Sequence, residues 1–253
     1  TTVNPNEFSV DVAYARRFGY HVSAALTGRY IRSDLTGGFM SSDDSEVISP
    51  ANTFGFDMAF YYRNNHRGND YSLGVTITNL GPKVAYIKEN AERYFLPTTL
   101  RIGGQYTFNI DVDNSIMLGL EVSKLLVPTP PITDSNGQLL GRSTSVGLVE
   151  SWIQSFYDAP YGWREELSEI MAGGGIEYAY RGLFFTRVGY FHDYKGNRNN
   201  LTFGAGIKYN FLGLDISYLH NPFTTNDPLS NTLRISLMFD FNLRYRSSGN
   251  ANR

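Results

Sequence analysis

The feature that most constrains this chain is a period of two. Even positions carry Phe8, Val10, Val12 and Tyr14 with Ser9, Asp11 and Ala13 between them, and the same beat returns in segment after segment. It is heard in Tyr20 to Tyr30, Phe54 to Tyr62, Tyr71 to Ile77, Leu100 to Phe108 and Ile116 to Val122. It resumes in Ile170 to Tyr178, Phe184 to Tyr190, Leu201 to Tyr209, Leu212 to Tyr218 and Leu233 to Phe241. Successive side chains of a strand point to opposite faces, so each segment reads as a β-strand with one apolar side. That makes about eleven strands by this count.

The opposite face holds Asp11, Ser23, Thr27, Arg29, Asp57, Thr76, Arg101, Gln105, Thr107, Glu121, Glu177, Arg187, Lys208, Asp215, Arg234 and Asp240, interspersed with glycine. A soluble sandwich alternates in the same way. Two features favour a transmembrane antiparallel β-barrel. Tyrosines close the apolar faces (Tyr14, Tyr20, Tyr30, Tyr62, Tyr71, Tyr178, Tyr190, Tyr209, Tyr218), as an interfacial girdle requires. The segments also run about nine to eleven residues, the length with which a tilted strand crosses lipid.

Composition narrows the functions. With 22 Lys+Arg against 24 Asp+Glu the chain lacks the basic surface that nucleic acid demands. The 42% hydrophobic content excludes a disordered chain. The absence of cysteine excludes disulfides, thiolate catalysis and cysteine-ligated metals. No apolar run reaches the roughly 18 residues of a helical span. No histidine pair or acidic loop has metal-ligand spacing, so neither metal nor cofactor is expected. For catalysis, His192 beside Asp193 is the one base-and-orienter combination, and adjacency alone is weak support for an acyl-ester hydrolase. No catalytic residue is therefore assigned.

The links alternate between short and long. Arg17 to Gly19, Asn64 to Asp70, Asn109 to Asn114, Arg181–Gly182 and Asn210–Phe211 are the short set. Ser33 to Ala51, Asn79 to Pro97, Leu126 to Leu167, His192 to Asn200 and His220 to Leu229 are the longer one. Short turns belong to the periplasmic side of such barrels. The last strand then runs inward, the C-terminus is periplasmic, the tail 244–253 follows it, and an odd number of strands is expected before Thr1. Residues 1–253 thus read as one barrel interrupted by a long outside insertion at 126–167.

That insertion opens with Pro128, Pro130 and Pro131, which stop the strand. Ser143 to Phe156 is expected to form a short helix with Val146, Val149, Trp152, Ile153 and Phe156 near one face. Trp163 to Ile170 reads as a second, acidic helical turn. A self-packed lid or plug is one reading. A docking surface is the other, with Trp152, Phe156, Tyr157 and Trp163 as contact residues, because exposed aromatics anchor interfaces.

Several segments resemble a known family. Asn79-Leu-Gly-Pro-Lys83 followed by Phe95-Leu-Pro-Thr-Thr-Leu-Arg-Ile-Gly-Gly104, and Lys124-Leu-Leu-Val-Pro-Thr-Pro-Pro131, are similar to PorV, the FadL-like outer-membrane component of the type IX secretion system. Ser155-Phe-Tyr-Asp-Ala-Pro160, Gly189-Tyr-Phe191 and Asn231-Thr-Leu-Arg234 leading to Phe239-Asp-Phe241 extend the resemblance over about Phe54 to Phe241. The resemblance implies a fourteen-stranded barrel in the cell outer membrane, three strands of it preceding Thr1. It implies a non-enzymatic subunit that binds the C-terminal signal domain of secreted cargo, associates with the SprA (Sov) translocon and delivers cargo to the PorU-containing attachment complex. The family is also linked to lipopolysaccharide O-deacylation under the name LptO. The alternative function is a FadL-type channel for hydrophobic small molecules, against which the mixed charge of the inner face speaks.

Overall fold

The computed structural model describes residues 5–34, 50–86, 93–222 and 231–240. The expected long links at 33–51, 79–97 and 220–229 lie partly outside these residues, and the tail 244–253 and Phe241 lie wholly outside them.

Eleven strands pair in one antiparallel meander. They are β1 (Asn6–Phe18), β2 (Val22–Asp34), β3 (Ala51–His66), β4 (Asn69–Leu80), β5 (Thr99–Asn109) and β6 (Asn114–Leu125), then β9 (Ile170–Tyr180), β10 (Phe184–Asp193), β11 (Arg198–Tyr209), β12 (Leu212–His220) and β13 (Thr232–Phe239). Each strand pairs with the next, and β6 pairs with β9 across the insertion. Strands β1 and β13 are the two edges of the sheet and do not pair with each other, so the wall is barrel-like but not a closed ring.

The alternation sets the faces. Leu73, Ile102, Leu120, Ile176, Val188, Phe203, Ile216 and Leu237 share the outward face and are all exposed. Buried apolar residues among those described number only four, Ala51, Leu80, Leu126 and Ala159. No second large sheet covers the apolar face among the described residues, which removes the sandwich. A greasy surface of this extent is stable only against lipid. No described helix is long and apolar enough to cross a membrane, so any crossing is made by strands.

Tyrosines mark both ends of the apolar band, and asparagines tie their hydroxyls. At the end bearing the insertion, Tyr30 donates to Asn52 Oδ1 (2.8 Å), Tyr190 to Asn199 Oδ1 (3.1 Å) and Tyr218 to Asn231 Oδ1 (2.8 Å). At the other end Asn64 Nδ2 reaches the hydroxyls of Tyr62 (3.1 Å) and Tyr71 (3.2 Å), and Tyr178 donates to Asn114 Oδ1 (2.5 Å). Phe54 lies level with Tyr30 on β3, and Tyr62 follows eight residues later. This separation is about 26 Å of strand, on the scale of the roughly 25 Å apolar band of outer-membrane barrels.

The inward face is held by charge networks. Arg29 bonds Asp11 Oδ1 (2.8 Å), Asp57 Oδ2 (3.2 Å) and Asn79 Oδ1 (2.7 Å), linking four strands next to a register shift between Phe56 and Met58. Arg187 bonds Glu177 Oε2 (2.5 Å) and Asp215 across β9 to β12. Between these networks an inner trough of about 580 Å³ is lined by Gly103, Gly119, Gly175 and Gly189 with Arg101 and Glu121 at hand.

Two connections are shorter than the sequence predicts. The β3–β4 link is a two-residue turn with both Arg67 (φ 51°) and Gly68 (φ 83°) in the left-handed region, as hairpin twist requires. The β10–β11 link contracts to residues 194–197, because Asp193 opposes Arg198 in register and their ion pair (2.6 Å) staples the two strand ends.

Candidate docking surface

The insertion is anchored to the barrel rim by a buried lysine. Lys124, on the last turn of pleat in β6, is 6% exposed. Its Nζ sits 2.8 Å from Glu166 Oε1 and 2.6 Å from Glu169 Oε2. Glu169 Oε1 also accepts from Thr129 Oγ1 (2.7 Å) and Lys195 Nζ (2.6 Å). Asp158, 1% exposed, accepts from the Thr129 backbone N–H (3.1 Å) and so stitches the loop after α1 to the proline run.

The carboxylates of Asp158, Glu166 and Glu169 come within 4.8 Å of one another, a grouping of the kind that holds a cation. Here Lys124 contributes the positive charge to two of them. Burial pushes the Asp158 carboxyl above the usual range; the Thr129 N–H opposes this, and the nearby Glu166 and Glu169 charges reinforce it. Burial pushes Glu169 the same way, but hydrogen bonds from Lys124, Lys195 and Thr129 outweigh it and leave Glu169 below the usual range.

Between these anchors the chain forms β7 (Ile132–Thr133), β8 (Leu139–Leu140), α1 (Leu148–Gln154) and α2 (Trp163–Ser168). Both helices are shorter than the sequence predicts. Gly162 with φ 78° sets the start of α2, and Ser151 and Gln154 are the residues that α1 buries. The buried side of α1 is therefore polar: Ser151 and Ser155 return their hydroxyls to the Leu148 and Trp152 carbonyls, and Gln154 Nε2 donates to the Ser143 carbonyl.

The apolar side is consequently outside. Val149, Ile153, Phe156 and Tyr157 follow one another around α1 and its end, and Trp163 and Leu167 do so on α2; all are exposed, Trp163 by 67%. Of the four expected contact residues, Phe156, Tyr157 and Trp163 are on this surface. Trp152 is only half-exposed, and its Nε1 is buried without a partner. Arg142 lies 4.6 Å from the Tyr157 ring and Arg164 5.6 Å from that of Trp163, so cations flank the patch. Sequence reading missed Lys124, Glu166 and Glu169 as a cluster; the one clue was the acidic helical turn at 163–170, whose three glutamates outnumber its single arginine, Arg164.

Among the described residues, the insertion's hydrogen bonds and ion pairs to the barrel go to rim positions, Lys83, Thr98, Lys124 and Lys195. None goes to Arg101, Glu121, Glu177 or Arg187 of the inner face. The pairing of His192 with Asp193 is not supported by the geometry. Neighbours on a strand point to opposite faces; His192 Nδ1 meets Asn199 Oδ1, while Asp193 is bound to Arg198.

A family model described as "Type IX secretion system protein PorV" matches residues 1–132, that is 132 of the 253 residues. The matched part covers β1 to β6 and contains the segments 79–83, 95–104 and 124–131; those at 155–160, 189–191 and 231–241 lie beyond it. No curated protein matches the chain.

Proposed function

The chain belongs to the PorV family of type IX secretion system proteins, and from that premise we propose that it is a non-enzymatic adaptor. In this reading it binds the C-terminal signal domain of cargo at the SprA (Sov) translocon and hands it to the PorU-containing attachment complex. The insertion faces the outside and the short turns the periplasm. A fourteen-strand wall, with three strands beyond those described, closes β13 onto β1.

The observation that carries the proposal is an apolar patch fixed in place. Phe156, Tyr157 and Trp163 are exposed on a segment whose anchor, Lys124, is buried. A preorganised aromatic surface binds without first being ordered, which is where affinity is most often lost. The reading is tested by replacing Phe156, Tyr157 and Trp163 with alanine together. Each hot-spot aromatic is worth about 2 kcal/mol or more, so secretion of signal-bearing cargo and co-purification of partner chains should both collapse while the barrel still assembles. Undiminished secretion would refute it. The FadL-type channel stands as the alternative: the inner trough is lined by Met117, Leu120 and Val188 as well as by Arg101, Glu121, Glu177 and Arg187.

A further inference from the structure

Asp158 sits where three carboxylates meet too few cations. One oxygen of its carboxyl lies within 4.8 Å of an oxygen of Glu166 and of Glu169. Lys124 serves Glu166 and Glu169, while Lys195 reaches Glu169 (2.6 Å) but is shared with Glu165 (3.1 Å). Asp158 itself has no ion pair among the described residues. The charged groups that face it are thus Glu166 and Glu169 from α2, with Lys124 of β6 and Lys195 of the β10–β11 link behind them, and the uncharged neighbours are Thr129 and Gln154.

The two oxygens of Asp158 differ. Oδ2 accepts from the Thr129 N–H (3.1 Å). Oδ1 is buried without a hydrogen bond, and the neighbouring Gln154 amide turns its Nε2 to the Ser143 carbonyl (2.9 Å). Buried polar atoms ordinarily find partners, and an ionised carboxylate beside two like charges, bonded to one neutral donor, is costly to bury. A proton on Oδ1 removes both faults: it cancels the excess negative charge and converts an orphan acceptor into a donor among acceptors. Glu166 and Glu169 are poor carriers of that proton, because Lys124 stands 2.8 Å and 2.6 Å from them. In agreement, burial and then the two glutamates push the Asp158 carboxyl upward against the pull of Thr129 and Gln154.

We propose that Asp158 carries a proton in the seated insertion and acts as its pH latch: loss of that proton to solvent leaves three adjacent anions and frees the loop between α1 and α2. Phe156 and Tyr157 directly precede Asp158 in the chain, so the latch sets whether two of the three docking aromatics stand in place. That consequence rests on the docking function proposed above; the latch itself does not. Between the unfolded carboxyl value of about 3.9 and the higher folded one, the closed insertion holds a proton that the open one has lost. The open-to-closed ratio should therefore climb by up to about tenfold per pH unit across that interval and level off above it.

The test uses the purified full chain in a detergent that has no ester groups. Infrared difference spectra of the wild type against Asp158→Asn should show one protonated-carboxyl C=O stretch that fades as pH rises. Amide exchange at Thr129, corrected for the intrinsic rate at each pH, should lose protection over the same interval. Asp158→Asn keeps an acceptor for Thr129 and supplies a permanent N–H donor, so Thr129 should stay protected in that variant with no loss at high pH. Absence of an acid band that Asp158→Asn removes, or Thr129 protection in the wild type that does not fall with rising pH, overturns the latch. Protection restored at high pH by added calcium overturns it too, because the cluster would then be a cation site. The docking function fails separately: a chain that shows the acid band yet secretes cargo normally with Phe156, Tyr157 and Trp163 replaced by alanine keeps the latch and loses the docking surface.

Discussion

Replacing Lys124 with methionine should loosen the insertion while sparing the barrel. The side chain keeps its length and loses its charge, leaving Glu166 and Glu169 facing each other with side chains only 14% and 10% exposed. Removing one partner of a buried ion pair costs about 3–5 kcal/mol, because the remaining charge is uncompensated. Glu169 keeps Thr129 and Lys195, so the low end applies, about 3 kcal/mol. Every 1.4 kcal/mol is about tenfold, and the open population of the insertion should therefore rise about a hundredfold. Hydrogen exchange at the Thr129 and Ala159 amides, which bond Asp158 and Glu166, reads that opening directly. Adding Glu166→Gln and Glu169→Gln should recover most of the loss, since no unpaired charge is left. Exchange rates unchanged by Lys124→Met would refute the clamp, and a barrel that unfolded with the insertion would refute their independence.

Acid should loosen the same clamp with a predictable sign. Glu169, held below its ordinary range, contributes stability that is present above the unfolded carboxyl value of about 4.3 and is lost as pH falls through the folded value. Asp158, pushed up, acts oppositely: its contribution is complete below the unfolded value of about 3.9 and declines as pH rises through the folded one. Protease sensitivity of residues 143–169 measured against pH should therefore lose its acid limb in Glu169→Gln, and persistence of that limb would count against the assignment. On the wall, Ile176→Arg places a charge on the outward face between Leu118 and Val188 and should cost about 2–4 kcal/mol in lipid. The next residue, Glu177, points inward to Arg187, and Glu177→Gln should cost clearly less because Arg187 retains Asp215. Denaturant titration in vesicles compares the two; equal losses would argue that the faces are misassigned.

The wall was legible because its information is local. Leu118, Ile176 and Val188 align across three strands, and each sits at the even position that a period of two assigns. The tyrosine ends were legible for the same reason, although the asparagines that tie them were not. What escaped is what folding brings together from afar. Lys124 and Glu169 are 45 residues apart in the chain, and no spacing rule joins them. The β10–β11 link read as longer than it is because Asp193 and Arg198 look like loop residues until they are seen facing each other across a ladder. Trp152 illustrates the limit for contact residues: a helical face was expected around it, yet the side that α1 buries is made of Ser151 and Gln154.

Residues Gly173, Gly174 and Gly175 stand in a row on β9, flanked by Gly119 of β6 and Gly189 of β10 in the same register. A hoop under load bends where its section is least, and here the section is main chain without side chains of its own, covered only by Leu120, Phe191 and Thr202 leaning over from neighbouring strands. Squeezing or ovalising this wall would concentrate its curvature along that seam, while the stretches braced by Arg29 and Arg187 moved as stiff plates on either side.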